Sequence, residues 1–137
     1  MRSIDTLINE GAKALTTGDY AFVLGIVDVP CSIYLGRKLL YVADEHALML
    51  VLLRYRRNLL RLGYLKTIFE NVSTTIIGPN NVRLTLNWIE QGGKNKVISN
   101  GSMSFYLTHN RDGCWRVTLI SSRDAPDPVL LEGLPTY

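Results

Sequence analysis

Over the last sixty residues of this 137-residue chain, apolar and polar side chains alternate along three consecutive runs, residues 82–88, 98–107 and 115–121. A period of two puts every second side chain on the same side of an extended backbone, so each run has one apolar and one polar face. A sheet built from such runs must bury one side. Upstream, apolar residues recur at three- and four-residue spacing, which makes amphipathic helices the cover. The pattern predicts an α+β domain: a strongly curved antiparallel sheet forming a half-open cone packed on three N-terminal helices.

The first helix is expected over 3–16, with Ser3 as N-cap and Gly18 ending it where a left-handed residue is cheap. Asp19 caps a short second helix, 20–26. Pro30 stops helix formation, 31–35 reads as a short strand, and Gly36-Arg37 turns into a second one at 39–42. Asp44 then caps the longest helix, 45–62, closed by Gly63. Leu48, Val51, Leu52, Tyr55, Leu59 and Leu62 form its apolar face, with Arg54, Arg57 and Arg61 opposite and Arg56 at the edge. After Gly63 the period falls to two. Strands follow at 64–77, 82–90, 97–109 and 114–123, joined by Gly78–Asn81, 91–95 and 110–113. About ten residues is long for a strand, which implies twist and curl.

Composition narrows the function classes. One domain is expected over 1–123, followed by a tail at 124–137 that carries Pro126, Pro128 and Pro135 yet also Val129, Leu130, Leu131 and Leu134. That mixture cannot be a helix and suits docking on the domain or on a partner subunit better than disorder. A net charge of +3 falls short of a nucleic-acid binder. The basic stripe has no interleaved aromatic platform and reads as a solvated helix face. No signal peptide and no span for a bilayer are visible, so no membrane partner is expected. Cys31 and Cys114 form no metal-type pair or disulfide framework, which points to a reducing, cytoplasmic location. The sequons at Asn71 and Asn100 then carry no glycan.

The order of elements resembles the nuclear transport factor 2-like superfamily, the cystatin-like cone that includes SnoaL-type polyketide cyclases and ketosteroid isomerase. The residues that carry the resemblance are Thr17-Gly18-Asp19-Tyr20, Leu62-Gly63-Tyr64, the glycine within Ser99-Asn-Gly101-Ser, and Asp112-Gly113-Cys114-Trp115-Arg116-Val117. It covers about residues 3–123. It implies a pocket inside the cone, and a fold that hosts dehydratases, isomerases, cyclases, binding modules and dimerisation domains.

Enzymes of that superfamily move protons with acidic, His or Tyr groups inside the cone. In the last three strands the acids are Glu90, read as a strand end, and Asp112, in a turn. Glu70 is read as an exposed acid pairing with Lys66 or a neighbouring strand. Asp28, Tyr34 and His46 form the candidate acid–base group at the cone mouth. His109 is expected to be solvated, and neither histidine has a partner spaced for a metal, so no metal and no cofactor are expected. The pocket is expected to draw on Tyr20, Tyr34, Tyr55, Phe69, Trp88, Met103, Phe105 and Trp115, with Trp88 and Trp115 also able to fill core. Parity aims Trp88, Phe105 and Trp115 at the helices, the last alongside Val117 and Leu119.

The opposite parity collects Arg83, Thr85, Asn87, Ser102, Ser104, Tyr106, Arg116 and Thr118, a hydroxyl-rich surface suited to a two-fold homodimer. The function expected is binding of a small hydrophobic or partly polar molecule in the cone. The alternatives are a cofactor-independent cyclase, dehydratase or isomerase, and a dimerisation module whose cone is filled by its own Phe69, Trp88, Phe105 and Trp115.

Overall fold

The computed structural model describes residues 3–136. Helix α1 (Ile4–Thr17) and short α2 (Tyr20–Ile26) lead into strands β1 (Val27–Leu35) and β2 (Lys38–Val42). Helix α3 (Glu45–Arg61) is followed by β3 (Tyr64–Gly78), β4 (Asn81–Gly92), β5 (Val97–His109) and β6 (Trp115–Ser122). The helix ends follow their local chemistry. The Ser3 hydroxyl accepts from the Thr6 amide and the Asp44 carboxylate from the Ala47 amide at 2.8 Å, which satisfies donors the first turn leaves open. Gly18, at φ 79°, closes α1 by donating to the Ala14 carbonyl.

The six strands form one sheet in the order β2-β1-β6-β5-β4-β3. The meander from β3 to β6 is antiparallel throughout. The N-terminal hairpin joins it through a parallel pairing of β1 with β6, which the sequence pattern does not reveal. β1 also starts earlier than the sequence reading places it. Pro30 is tolerated because the β1–β6 register shifts between Val27 and Ser32, leaving the stretch around the proline without ladder partners on β6.

The helices press on the concave face. Leu7, Ile8 and Ala14 of α1, Leu48 and Val51 of α3, and Leu84, Leu86, Leu107 and Val117 of the sheet form one buried cluster with Cys31, Leu40 and Val42. Only the first half of β3 is covered: Thr67 is buried, whereas Val72, Ile76 and Ile77 are exposed beyond the helices. Leu62, expected on the apolar face of α3, is exposed too. Two of the arginines on α3 are not merely solvated. Arg56 donates to the carbonyls of Leu15 and Thr16 at the end of α1, and Arg54 to the carbonyl of Gly133. Both donate to backbone carbonyls outside their own helix.

A bulge resets the facing of β6. Tyr106 pairs with Leu119 but Leu107 with Val117, so one extra residue lies between them. Val117 and Ile120 consequently face inward, and Leu119 does not share their side as simple alternation predicts.

The tail folds back on the domain. Asp127 caps a 3-10 turn at Pro128–Leu131, with proline in the first turn where its missing amide costs nothing. Helical structure in this segment departs from the sequence reading. Leu130 is fully buried and Leu131 nearly so. The Asn58 side-chain amide donates to the Leu130 carbonyl at 2.9 Å and to that of Glu132 at 3.0 Å.

Trp88 and Gly101 are directly opposed on β4 and β5. A β-carbon at Gly101 would lie 2.3 Å from the Trp88 indole, so only glycine lets the ring lie flat across the neighbouring strand. Gly101→Ala is therefore expected to lower the free energy of unfolding in urea by about 1–3 kcal/mol, the usual cost of overpacking a buried site. An unchanged midpoint would show that the indole has room to move.

Candidate functional site

Between the helices and the concave sheet lies a cavity of about 240 Å³. Apolar side chains line it almost completely: Leu15 from α1, Val23 and Ile26 from α2, Val51 and Leu52 from α3, Ile33 from β1, Phe69 from β3, and Met103 and Phe105 from β5. Phe69 and Phe105 meet edge to face with ring centres 6.2 Å apart. The polar exceptions are few. Thr67, Tyr55 and Glu90 face in at one end.

Glu90 continues the inward set of β4, after Val82, Leu84, Leu86 and Trp88, and is only 5% exposed. It is not at a strand end. β4 runs on to Gly92 because Gln91 pairs with Lys66 and Gly92 with Tyr64 on β3. From α3 the Tyr55 hydroxyl donates to Glu90 Oε1 at 2.7 Å. Burial pushes the Glu90 carboxyl up to about 7, against the opposing pull of hydrogen bonds from Tyr55 and Trp88. The Tyr55 phenol is pushed well above its ordinary range, first by burial and then by the neighbouring carboxylate. It is a fixed donor at any physiological pH. A carboxyl titrating near neutrality inside an apolar cavity can both accept and give a proton there.

Behind this pair is a smaller chamber of about 50 Å³, lined by Tyr20, Tyr55, Arg56, Tyr64, Thr67 and Glu90 among others. Its hydroxyls are already engaged. Tyr20 donates to the Leu52 carbonyl at 3.3 Å, and Tyr64 shares a hydrogen bond with Thr67. The Arg56 guanidinium lies 5.7 Å from the Tyr64 ring centre. Glu90 and Tyr55 thus stand at the boundary between an apolar room and a polar one.

The sequence-predicted residues divide sharply. Of the pocket set, Tyr55, Phe69, Trp88, Met103 and Phe105 line the main cavity, and Tyr20 lines the chamber. Tyr34 does not. It alternates with Cys31, Ile33 and Leu35, so it projects from the other face and is 44% exposed. Trp115 packs on the core edge, its ring 4.8 Å from His109, and takes no part in the cavity. The candidate catalytic trio is not assembled. His46 is exposed at the start of α3, and Asp28 is bound by Arg116, whose Nε donates to its carboxylate at 2.7 Å. Arg116 also donates to the Gly25 carbonyl. None of Asp28, Tyr34 and His46 reaches the cavity lining. Glu70 is exposed. Among the described residues, no group of three or more His, Cys, Asp or Glu side chains is placed to hold a metal ion.

On the outer face, Arg83 lies opposite Tyr106, Thr85 opposite Ser104 and Asn87 opposite Ser102. The Thr85 and Ser104 hydroxyls are 3.4 Å apart, and Thr118 donates to the Tyr106 carbonyl. Arg116 is turned to Asp28 and so is committed within its own chain.

Comparison with known proteins agrees with this architecture. Residues 3–125 match the family model described as NTF2-like protein (DUF6841). An NTF-2 like protein of unknown function from Shewanella oneidensis is 16% identical, with a TM-score of 0.67 over 87% of this chain and 94% of that one. A domain of unknown function with a cystatin-like fold from Nostoc punctiforme is 8% identical, with a TM-score of 0.66 over 82% and 70% of the two chains. A ketosteroid isomerase-like protein from Erwinia carotovora atroseptica is 12% identical, with a TM-score of 0.56 over 88% and 95%. Among curated proteins none matches.

The raised carboxyl has a measurable consequence. The folded chain holds the Glu90 proton more tightly than the unfolded chain, from about 7 against an ordinary 4.5. Its stabilising contribution is complete below the ordinary carboxylate range and is lost as pH rises through about 7. Between pH 5 and pH 8 the wild-type chain should lose about 2–3 kcal/mol relative to Glu90→Gln, by urea unfolding at each pH. Parallel curves for the two proteins would mean that Glu90 titrates normally.

Proposed function

This chain belongs to the NTF2-like protein family (DUF6841), and we propose that it binds a neutral, mainly apolar small molecule in the cone, held by one polar group at Glu90 and Tyr55. The observation that carries this reading is the cavity itself, roomy and apolar, with a single carboxyl–phenol pair at one end. An apolar cavity of about 150 Å³ takes benzene, so 240 Å³ suits a bicyclic or branched ligand. Phe69, Trp88 and Phe105 line the space and leave it open. The carboxyl and phenol set the ligand's chemistry. Above pH 7 Glu90 accepts a hydrogen bond from a hydroxyl or amine, and below it also donates to a carbonyl. A carboxylate-bearing ligand would meet a like charge without a cation in the main cavity lining to offset it.

2-Naphthol and 2-naphthoate differ mainly in that charge. Titration calorimetry at pH 7.5 should show naphthol binding and naphthoate at least tenfold weaker, with Met103→Trp abolishing both by filling the space. Equal affinities, or binding that survives Met103→Trp, would place the ligand elsewhere.

We further propose a cytoplasmic homodimer joined through the outer sheet face. The cross-strand sets Arg83–Tyr106, Thr85–Ser104 and Asn87–Ser102 support the interface, and two free cysteines, Cys31 and Cys114, support the reducing compartment. Among the described residues no helix is long and apolar enough to cross a membrane. Light scattering at micromolar concentration should give twice the chain mass, falling to one chain mass in Thr85→Arg with Ser104→Glu. A monomeric wild type sinks the interface.

A further inference from the structure

We propose that the C-terminal tail is a strap that completes the cavity and controls passage into it. The proposal rests on the ligand-binding reading for its purpose, though not for its test. Three tail residues, Pro126, Leu131 and Leu134, line the cavity. Every other lining residue belongs to a helix or a strand, where backbone hydrogen bonds hold it in place. The tail is the one wall without a ladder.

Its hydrogen-bonded attachments lie at its two ends, and Leu130 is buried against Leu59 and Tyr64. At the base, the Ser122 hydroxyl donates to the Asp124 carbonyl, and the Asp124 carboxylate accepts from the Ser102 amide. At the far end, Asn58 and Arg54 of α3 donate to the carbonyls of Leu130, Glu132 and Gly133, and Thr136 forms a lone bridge with Leu40. Between these anchors, Asp127, Pro128 and Val129 are exposed. Only the Pro126 side of that stretch is buried. A segment held by a short buried stretch and a few side-chain hydrogen bonds opens locally at lower free energy than the core strands. Releasing the two α3 side chains removes three hydrogen bonds that hold the far end, so Leu131 and Leu134 lift from the cavity more often. The family match ends at residue 125, so Pro126, Leu131 and Leu134 lie beyond the matched segment.

A thiol inside the cavity reports opening without any ligand. Met103→Cys in a Cys114→Ser background puts one there. Cys31, buried and with its thiol pushed up to about 11 by burial and by Asp28, serves as the internal control for global unfolding. The probe is methyl methanethiosulfonate, a small neutral reagent, with modification followed by intact and peptide mass. Arg54→Ala with Asn58→Ala should speed modification at position 103 at least tenfold while Cys31 stays unmodified. An unchanged rate, or modification of both thiols together, would overturn the strap.

Should the double variant unfold, hydrogen exchange on the wild-type chain decides. The amides of Leu130 and Leu134 should exchange at least a hundredfold faster than that of Leu107 in β5. Equal protection would likewise overturn the proposal. Failure of 2-naphthol to bind leaves either result intact and removes only the ligand reading.

Discussion

The packing of Trp88 across Gly101 is the contact on which the rest of this molecule depends. It couples the two central strands of the meander on their concave side, where a β-carbon would leave no space for the indole. Two residues further along β4, the same alternation delivers Glu90 into the cavity. The ring therefore helps set the wall from which the carboxyl projects. Packing and electrostatics at this point are one arrangement. Moving the indole shifts the position of the only acid in the cavity lining.

Burying a carboxyl is unfavourable, and the cost is contained rather than removed. Tyr55 supplies one short hydrogen bond and no cation is in the main lining, so the neutral form is favoured up to about pH 7. An apolar cavity that keeps such a group is less stable than one filled with leucine, a familiar exchange of stability for a functional environment.

Much of this was readable from the chain. The three alternating runs located β4, β5 and β6, and Ser3, Asp19 and Asp44 each cap the helix their spacing assigned. Glu90 was also legible in principle, because it extends the parity of Val82, Leu84, Leu86 and Trp88. The sequence alone does not show that β4 runs past it, because the pairing that carries β4 on to Gly92 is a tertiary fact. Tyr34, by contrast, is turned outward by alternation with Ile33 and Leu35. Other features had no local signal. The bulge opposite Tyr106 that brings Ile120 inward, the capture of Asp28 by Arg116 across 88 positions, and the seating of Leu130 beneath α3 all depend on partners distant in sequence.

The parallel junction between β1 and β6 has a consequence for how the chain reaches its native state. On the edge away from β2, residues 27–35 find their partners in 117–122, the pairing most distant in sequence between the named strands. During synthesis the N-terminal hairpin emerges long before the strand that will flank it. Until then Ile33 and Leu35 have only β2 beside them, and the sheet presents two raw borders instead of a continuous wall. Joining them requires closing a loop of most of the polypeptide, which slows folding relative to a helical protein of this length. Of the sheet's pairings, this seam closes the longest loop of chain.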